Sequence, residues 1–213
     1  PSTLDLWAWH DLSRLFTTNA ETVNVAAVAD PVGAWRGQLN AYTLATATAS
    51  NRPEYSASGI LINSVSVYKE LAFARAAAAT APLTVLMRFS GTSGHHPRFA
   101  SGYAGVNAAT GITASTTLTG RARVGTALNS GYSASGNNCV AVSFDGTAAF
   151  MKVNGNAAQT ITVGVDATAH DNVRLAALLA AATVATVKYV QAVGAGMTAA
   201  EIQRWFDWAN AQP

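Results

Sequence analysis

Residues 139–155 read CVAVSFDGTAAFMKVNG, and this stretch decides the fold class. Apolar side chains recur at every second position over 140–144, and a second apolar segment follows at 149–153. Alternation of this kind is typical of a strand that buries one face. The dipeptides Asp145-Gly146 and Asn154-Gly155 supply the positive φ angles that tight hairpin turns need. The stretch therefore predicts two antiparallel strands joined by a short turn.

Similar short segments, separated by turn-forming residues, recur along most of the chain. They span residues 4–9, 60–68, 83–89, 121–128 (a weak strand), 160–165, 173–179 and 184–193. About a dozen short strands at this spacing predict an all-β sandwich of two antiparallel sheets.

Two alanine-rich segments, 70–81 and 175–182, do not follow the strand pattern. The first has high helix propensity and ends at Pro82, so a helix of one to three turns or a loop at a sandwich corner would fit it. The second has the same ambiguity, because periodicity does not separate helix from strand in a short apolar run.

The C-terminal segment predicts one amphipathic helix over about 198–211. Thr198 and Glu201 have the spacing of a capping box, in which each side chain accepts a hydrogen bond from the other residue's backbone N–H. The apolar residues that follow lie on one helical face: Ile202, Trp205, Phe206 and Ala209. We expect this face to pack on the sandwich. Since no linker or repeat divides the chain, we predict one domain over residues 1–213.

The composition excludes several classes of partner. Only 11% of the residues are charged, against about 25% in an average soluble domain. The net charge is +2 and the basic residues are scattered, so we expect no nucleic-acid partner. The single cysteine, Cys139, excludes an internal disulfide and is predicted to be a small buried thiol. No apolar stretch is long enough for a membrane-spanning helix, so we expect no membrane insertion.

Five segments in order resemble the motifs of a known family. They are LDLWAWHDLSRLF (4–16), DPVGAWR (30–36), ATATASNRPEY (45–55), the hairpin VSFDG with KVNG (142–155), and MTAAEI (197–202). They resemble bacterial and phage domains with a concanavalin A-like, laminin-G-like fold. The resemblance implies a jelly-roll sandwich of two antiparallel sheets with a short C-terminal helix. Gly37 stands where the family pattern has an aspartate, so no calcium role is carried over.

The same resemblance implies a function. Domains of this family occur in phage tail, spike and head-surface proteins, where they bind carbohydrate or cell surfaces or serve as structural parts. The chain is therefore expected to be a non-catalytic structural or binding domain on a virion surface or a similar assembly, recognising host-surface glycans. A carbohydrate-binding module of a secreted, extracellular bacterial protein is one alternative. An atypical glycan hydrolase or lyase is another.

The spacing of the acidic residues in the sequence argues against a catalytic site. Glycosidases of this fold use two close carboxylates, typically presented as Glu-x-Asp-x-x-Glu. No glutamate here has such neighbours, and Glu201 and Asp145 are explained by the cap and the turn. We therefore expect no enzyme. His95 and His96 suggest a metal, but adjacent residues of a strand point to opposite faces, so we expect neither metal nor cofactor.

Two loop clusters combine the aromatic and planar polar side chains that sugar binding requires. The candidate residues are His95, His96, Arg98 and Tyr103 in one loop, and Tyr132, Asn137 and Asn138 in another. The alternative interpretation is that both are ordinary loop tips or subunit contacts.

The sequence also predicts association. Exposed sheet edges are commonly protected by lysine or other charges, and the only lysines here are Lys69, Lys152 and Lys188. We therefore expect another subunit to cover part of the sandwich, in a homo-oligomer or by docking on other subunits of a virion or surface assembly.

Overall fold

The computed structural model describes residues 5–9, 12–37, 43–63, 69–79, 82–91, 98–101, 110–114, 117–122, 127–163, 170–176 and 184–212. Its strands are β1 (Asp5–Trp9), β2 (Leu15–Phe16), β3 (Ala34–Arg36), β4 (Thr43–Ala45), β5 (Glu54–Ser56), β6 (Gly59–Asn63), β7 (Glu70–Ala79), β8 (Leu83–Gly91), β9 (Arg98–Ser101), β10 (Thr110–Ala114), β11 (Thr117–Ala122), β12 (Leu128–Ser133), β13 (Gly136–Phe144), β14 (Ala149–Val153), β15 (Gln159–Ile161), β16 (His170–Ala176) and β17 (Val184–Val193). The helix α1 is Ala199–Ala211, and short 3-10 turns lie at Leu12–Arg14 and Ala49–Asn51.

The strands form two antiparallel sheets. The first sheet has the order β15-β14-β13-β8-β17-β6-β5, with β1 also paired to β17, and the second has the order β12-β11-β10-β9-β16-β7-β4-β3-β2. The predicted hairpin is β13 and β14, in which Val140 pairs with Val153 and Phe144 with Ala149. The predicted fold class, an all-β sandwich of antiparallel sheets with a C-terminal helix, is confirmed.

The main core lies between the two sheets. On the first sheet it is built by every second residue of the central strands: Leu83, Val85, Met87 and Phe89 of β8, and Val140, Val142 and Phe144 of β13. The second sheet contributes large apolar side chains from several strands: Trp35, Leu44, Leu71, Ile112, Leu118 and Leu175. Both sets are essentially inaccessible to solvent, as the alternation in the sequence requires.

A second apolar cluster lies on the outer face of the first sheet, under α1. The sheet contributes Leu86, Cys139, Ala141 and Tyr189, and the helix contributes Ile202, Trp205, Phe206 and Ala209. The predicted capping box is present, since Thr198 Oγ1 accepts from Glu201 N and Glu201 Oε2 accepts from Thr198 N at 2.7 Å. The helix and its buried face are therefore as predicted. Because both faces of β13 are covered, its seven residues 138–144 are all buried.

A bulge in β17 changes which side chains face the helix. Val187 pairs with Phe89 and Tyr189 with Arg88, so Lys188 is an extra residue on β17. Before the bulge Val187 faces the main core, and after it Tyr189 packs under α1. A bulge lets one strand serve different packing partners along its length.

Two sequence predictions are wrong. Residues 70–79 form strand β7, where Val173 of β16 pairs with Phe73, instead of a helix or a corner loop. A ten-residue helix is marginal without packing, whereas this strand has hydrogen-bonded neighbours on both sides in a nine-stranded sheet. The weak strand over 121–128 is also incorrect, because β11 ends at Ala122 and β12 begins at Leu128. Of 175–182, residues 177–182 lie outside the described residues.

The strands at the ends of the two sheet orders are protected without lysine. β2 has two residues, and β5 and β15 have three each, which leaves little backbone to pair with another chain. β12 is longer, but its register with β11 shifts, and Gly131 within it has φ +75°. These four strands offer little regular backbone to another subunit. The five-residue strand β1, which pairs with β17 alone among the described strands, is a further edge, and the homo-oligomer stays a prediction. Within the described part of the chain, no helix has the length and apolar character needed to cross a membrane.

Candidate functional site

The register of the first sheet places Asn137 and Asn138, of the second predicted sugar-binding cluster, next to the end of β8. Gly91, the last residue of β8, pairs with Gly136, the first residue of β13. The segment with His95 and His96 leaves directly from Gly91, and Asn137 directly follows Gly136. We call this end, where β8 and β12 end and β13 and β17 begin, the loop end. Gly91 and Gly136, 45 residues apart in sequence, therefore lie side by side at this end of the sheet.

Several of the predicted sugar-binding residues lie outside the part of the chain that the structure describes. His95, His96 and Tyr103 lie outside the described residues, and for Arg98 only the backbone, at the start of β9, is described. Their role in binding a sugar stays a prediction.

The side chain of Asn138 hydrogen-bonds to the turn between β12 and β13. Its side chain is 4% exposed, and Nδ2 donates to the carbonyls of Ala134 and Ser135 at 3.2 and 3.3 Å. Its Oδ1 accepts from Asn154 Nδ2 at 3.3 Å. The amide is therefore used within the protein. Asn137, which is exposed, is the member of this pair that faces solvent.

Asn154 joins the turn between β14 and β15 to the same end of β13. Its Oδ1 accepts from Cys139 N, and its own N–H donates to Cys139 O, both at 2.8 Å. Its φ of 50° lies in the left-handed region, which asparagine tolerates better than most residues. The sequence predicted a turn at Asn154 but not this bridge, because turn propensity does not show which strand the side chain reaches. The hydrogen bond between Asn154 and Asn138 thus joins the two turns at the loop end.

Tyr132 is not an open aromatic platform. It is half-buried and packs against the main core from β12, next to the buried Ser130. Ser130 Oγ donates to Leu118 O at 2.8 Å and accepts from Tyr132 N at 3.1 Å. Gln159 Nε2 donates to Ser130 O at 3.3 Å. Tyr132 is therefore partly accessible, and its stacking on a sugar stays a prediction.

Asn137 belongs to a row of side chains that crosses the outer face of the first sheet. In register, Asn137 pairs with Ser90, Ser90 with Thr186, and Thr186 with Leu61. Asn137 is exposed and the other three are partly exposed. Since adjacent strands lie about 4.8 Å apart, the row is about 14 Å long. We call Asn137, Ser90 and Thr186 the polar shelf. Its hydroxyl and amide groups can both donate and accept hydrogen bonds.

The C-terminal end of α1 lies beside the polar shelf. Arg88, two residues before Ser90 on the same face, donates from Nη1 to the carbonyls of Ala209 and Gln212, the latter at 3.2 Å. Its guanidinium lies over the Tyr189 ring, 5.6 Å from the centroid. The last turn of α1 has no basic residue, so Arg88 supplies the positive charge that complements the helix C-terminus.

A second positive charge lies next to Arg88. Lys188 occupies the β17 bulge and is partly exposed. Burial, and secondarily the Arg88 guanidinium, lower the pKa of the Lys188 ammonium. The ion pairs found in the described ranges are Arg36–Glu21 and Arg174–Glu70, and neither involves Arg88 or Lys188. Two cations therefore border the shelf without a carboxylate at salt-bridge distance among the described residues.

Three described carboxylates have local structural partners. The pKa values of Asp30, Asp145 and Glu201 are lowered mainly by backbone N–H donors, from Ala26, Ala148 and Thr198 respectively. Asp145, for example, accepts from Ala148 N at 2.7 Å within the β13–β14 turn. Among the residues that the structure describes, no group of three or more His, Cys, Asp or Glu side chains could hold a metal ion.

Cys139 lies under α1, as predicted for a buried thiol. It is 1% exposed, and its Sγ donates to Asn210 Oδ1 at 3.4 Å. Burial raises its pKa to about 11. At neutral pH it is therefore a thiol, which is a poor nucleophile compared with the thiolate.

The fold has known counterparts among solved structures. A Trypanosoma rangeli sialidase matches with a TM-score of 0.67 and 12% identity, over 99% of this chain and 34% of the sialidase chain. The same sialidase in complex with sialic acid matches with a TM-score of 0.67 and 13% identity over the same shares. A structure of botulinum neurotoxin type C, described as dependent on two ganglioside molecules for cell entry, matches with a TM-score of 0.56 and 10% identity over 84% of this chain and 51% of that chain.

These likenesses establish a β-sandwich fold that also occurs in glycan-binding and glycan-processing proteins. The chain spans about a third of the sialidase and about half of the toxin chain. No protein-family model and no curated protein matches it. The narrower assignment to concanavalin A-like domains of phages stays a prediction.

The comparison corrects the prediction that the chain is not an enzyme. A region that makes up 34% of a sialidase chain shares the fold over 99% of this chain, so this fold occurs as part of a glycan hydrolase. The prediction rested on the glutamates and their neighbours in the sequence. Sequence neighbours do not show which carboxylates the fold brings close together in space, and that closeness is what glycan hydrolysis requires.

Proposed function

We propose that the chain is a carbohydrate-binding β-sandwich domain and that the polar shelf, at the loop end, is its glycan-binding surface. The observation that carries the proposal is the row Asn137–Ser90–Thr186. A sugar is recognised through hydroxyl groups that each need a donor or an acceptor in a fixed place. An amide and two hydroxyls on adjacent strands of a rigid sheet meet that need.

The surroundings of the row support the same function. The hydrogen bonds of Asn138 and Asn154 hold the backbone beside Asn137 in one conformation before any ligand arrives. A surface that is already ordered loses less conformational entropy on binding.

The similar structures also support a glycan ligand. The fold recurs in a sialidase solved with sialic acid and in a neurotoxin whose cell entry depends on gangliosides. A shared fold does not transfer a ligand, so the support comes from the shelf and the likeness together.

The test is a binding screen against a glycan array, followed by calorimetry with the best ligand. The variants Asn137→Ala and Thr186→Ala should each weaken binding about five- to tenfold, because each removes hydrogen bonds to the sugar. The matched control is Thr160→Ala, an exposed threonine of β15 on the same sheet. Unchanged affinity in both shelf variants, or an equal loss in the control, would place the ligand elsewhere. Absence of any glycan ligand would overturn the proposal.

The same samples should be assayed for sugar release. Release that is slowed by the shelf variants would show that the surface serves a glycan hydrolase, in keeping with the sialidase likeness. Binding without release would show that the shelf serves glycan binding in this chain.

The setting in which the domain works is a further proposal. We infer from the low charge content and the motif resemblance that it is displayed on a virion surface or a similar assembly beside other subunits. Display on an extracellular bacterial protein is the alternative. Labelling purified particles and secreted protein with an antibody against the chain separates the two.

A further inference from the structure

We propose that the polar shelf selects glycans that carry a negative group, a carboxylate or a sulfate, which binds beside Lys188 and Arg88. This inference rests on the proposed function, because it names the ligand class of the same surface. It starts from the position of the two cations, which the β17 bulge and the β8 register place next to Ser90 and Thr186.

The two cations have different roles. Arg88 is fixed, since its Nη1 holds the carbonyls of Ala209 and Gln212 and its guanidinium lies over Tyr189. It therefore supplies a positive charge at a constant place. Lys188 is partly exposed and carries three donors on a flexible stem, so it makes the direct contact with the anion.

The two charges also repel each other when no anion is present. Lys188 and Arg88 are close enough for the guanidinium to disfavour the charged ammonium. An anion close to both cations adds two attractions that offset this repulsion. Binding of an anionic group therefore gains more here than beside one isolated lysine.

The far end of the row fixes the direction of the ligand. Leu61 continues the row beyond Thr186, and Glu54 pairs with Leu61 on the next strand. A carboxylate at that end disfavours a second negative group. The negative group of the ligand is therefore expected near Lys188 and Arg88, away from Glu54, and the neutral sugar units along the shelf toward Asn137.

The test compares three oligosaccharide series of equal length: carboxylated, sulfated and neutral. Both anionic series, or one of them, should bind at least about tenfold more tightly than the neutral series at low salt, and this preference should fall as ionic strength rises. Lys188→Gln should weaken anionic binding about three- to tenfold and leave neutral binding unchanged. Lys188→Arg should restore it.

The control is Arg204→Gln, which changes the net charge equally on the exposed face of α1. It should leave all three series unaffected, whereas an equal loss there would reduce the effect to net charge and overturn the inference. Equal binding of neutral and anionic glycans, lost in Asn137→Ala but not in Lys188→Gln, would overturn the inference and keep the proposed function. Absence of binding in every series would overturn both.

Discussion

The outer face of the first sheet has a half that α1 covers and an open half, in which Asn137 is exposed and Ser90 and Thr186 are partly exposed, and the same three strands build both. Under the helix the strands present Leu86, Ala141 and Tyr189, and beyond it they present the polar shelf. The backbone continues through both halves, so the side chains alone decide which half a helix covers and which half remains for a ligand. Arg88 lies on the boundary between them.

The covered half should show the largest effect on stability. Phe206→Ala removes a fully buried side chain from the cluster under α1 and should lower the free energy of unfolding by about 3–5 kcal/mol. Chemical denaturation followed by fluorescence measures it. Gln203→Ala, on the same helix but not buried, should change the value by less than about 0.5 kcal/mol. A similar small effect at Phe206 would mean that the helix does not pack on the sheet.

The second-largest effect on stability is expected at Arg88, on the boundary between the two halves. Arg88→Met keeps the length of the stem but removes the hydrogen bonds to the carbonyls of Ala209 and Gln212, of which Ala209 keeps only the Gln212 N–H, and should cost about 1–3 kcal/mol. Lys in place of Arg88 should recover part of this loss, since it keeps a positive charge at the helix C-terminus. Thermal unfolding of the three proteins ranks them, and identical melting temperatures would contradict the capping role.

In the open half, the adjacent residues Asn137 and Asn138 allow a matched comparison of an exposed and a buried asparagine. Asn138→Ala removes a buried amide that holds two turns together and should cost about 1–2 kcal/mol. Asn137→Ala, next to it and exposed, should cost less than about 0.5 kcal/mol while weakening glycan binding. Paired denaturation and binding measurements check both. The reverse ranking of the two stabilities would show that the shelf residue is structural.

The smallest effect is expected at the helix N-terminus, and it depends on pH. Thr198→Ala should cost about 1 kcal/mol at pH 7. The pKa of Glu201 is lowered in the folded state by the Thr198 backbone and side chain, so its contribution is present above its ordinary pKa and is lost as pH falls through the lowered value. The difference between wild type and variant should therefore shrink on acidification below about pH 4. The bond from Glu201 N to Thr198 Oγ1 does not titrate, so part of the difference should persist at low pH, whereas equal stability of the two proteins at pH 7 would contradict the capping box.

Local signals in the sequence predicted the elements that depend on local chemistry. The hairpin at 139–155 needs only alternation and two glycine turns, and the cap of α1 needs only Thr198 and Glu201 three residues apart. Both were predicted with their correct positions. The candidate Asn137 was predicted from its type and its place in a polar loop.

The tertiary structure decided what depends on partners far away in sequence. The segment 70–79 has alanines that favour a helix, but pairing with β16, about 100 residues later, makes it a strand. Asn138 and Asn137 are neighbours of one type, and only the fold shows that Asn154 occupies the first and leaves the second open. The pairing of Gly91 with Gly136, and the bulge that brings Lys188 beside Arg88, follow from the sheet register. Register is set by the combined packing of all strands, which no single segment of the sequence contains.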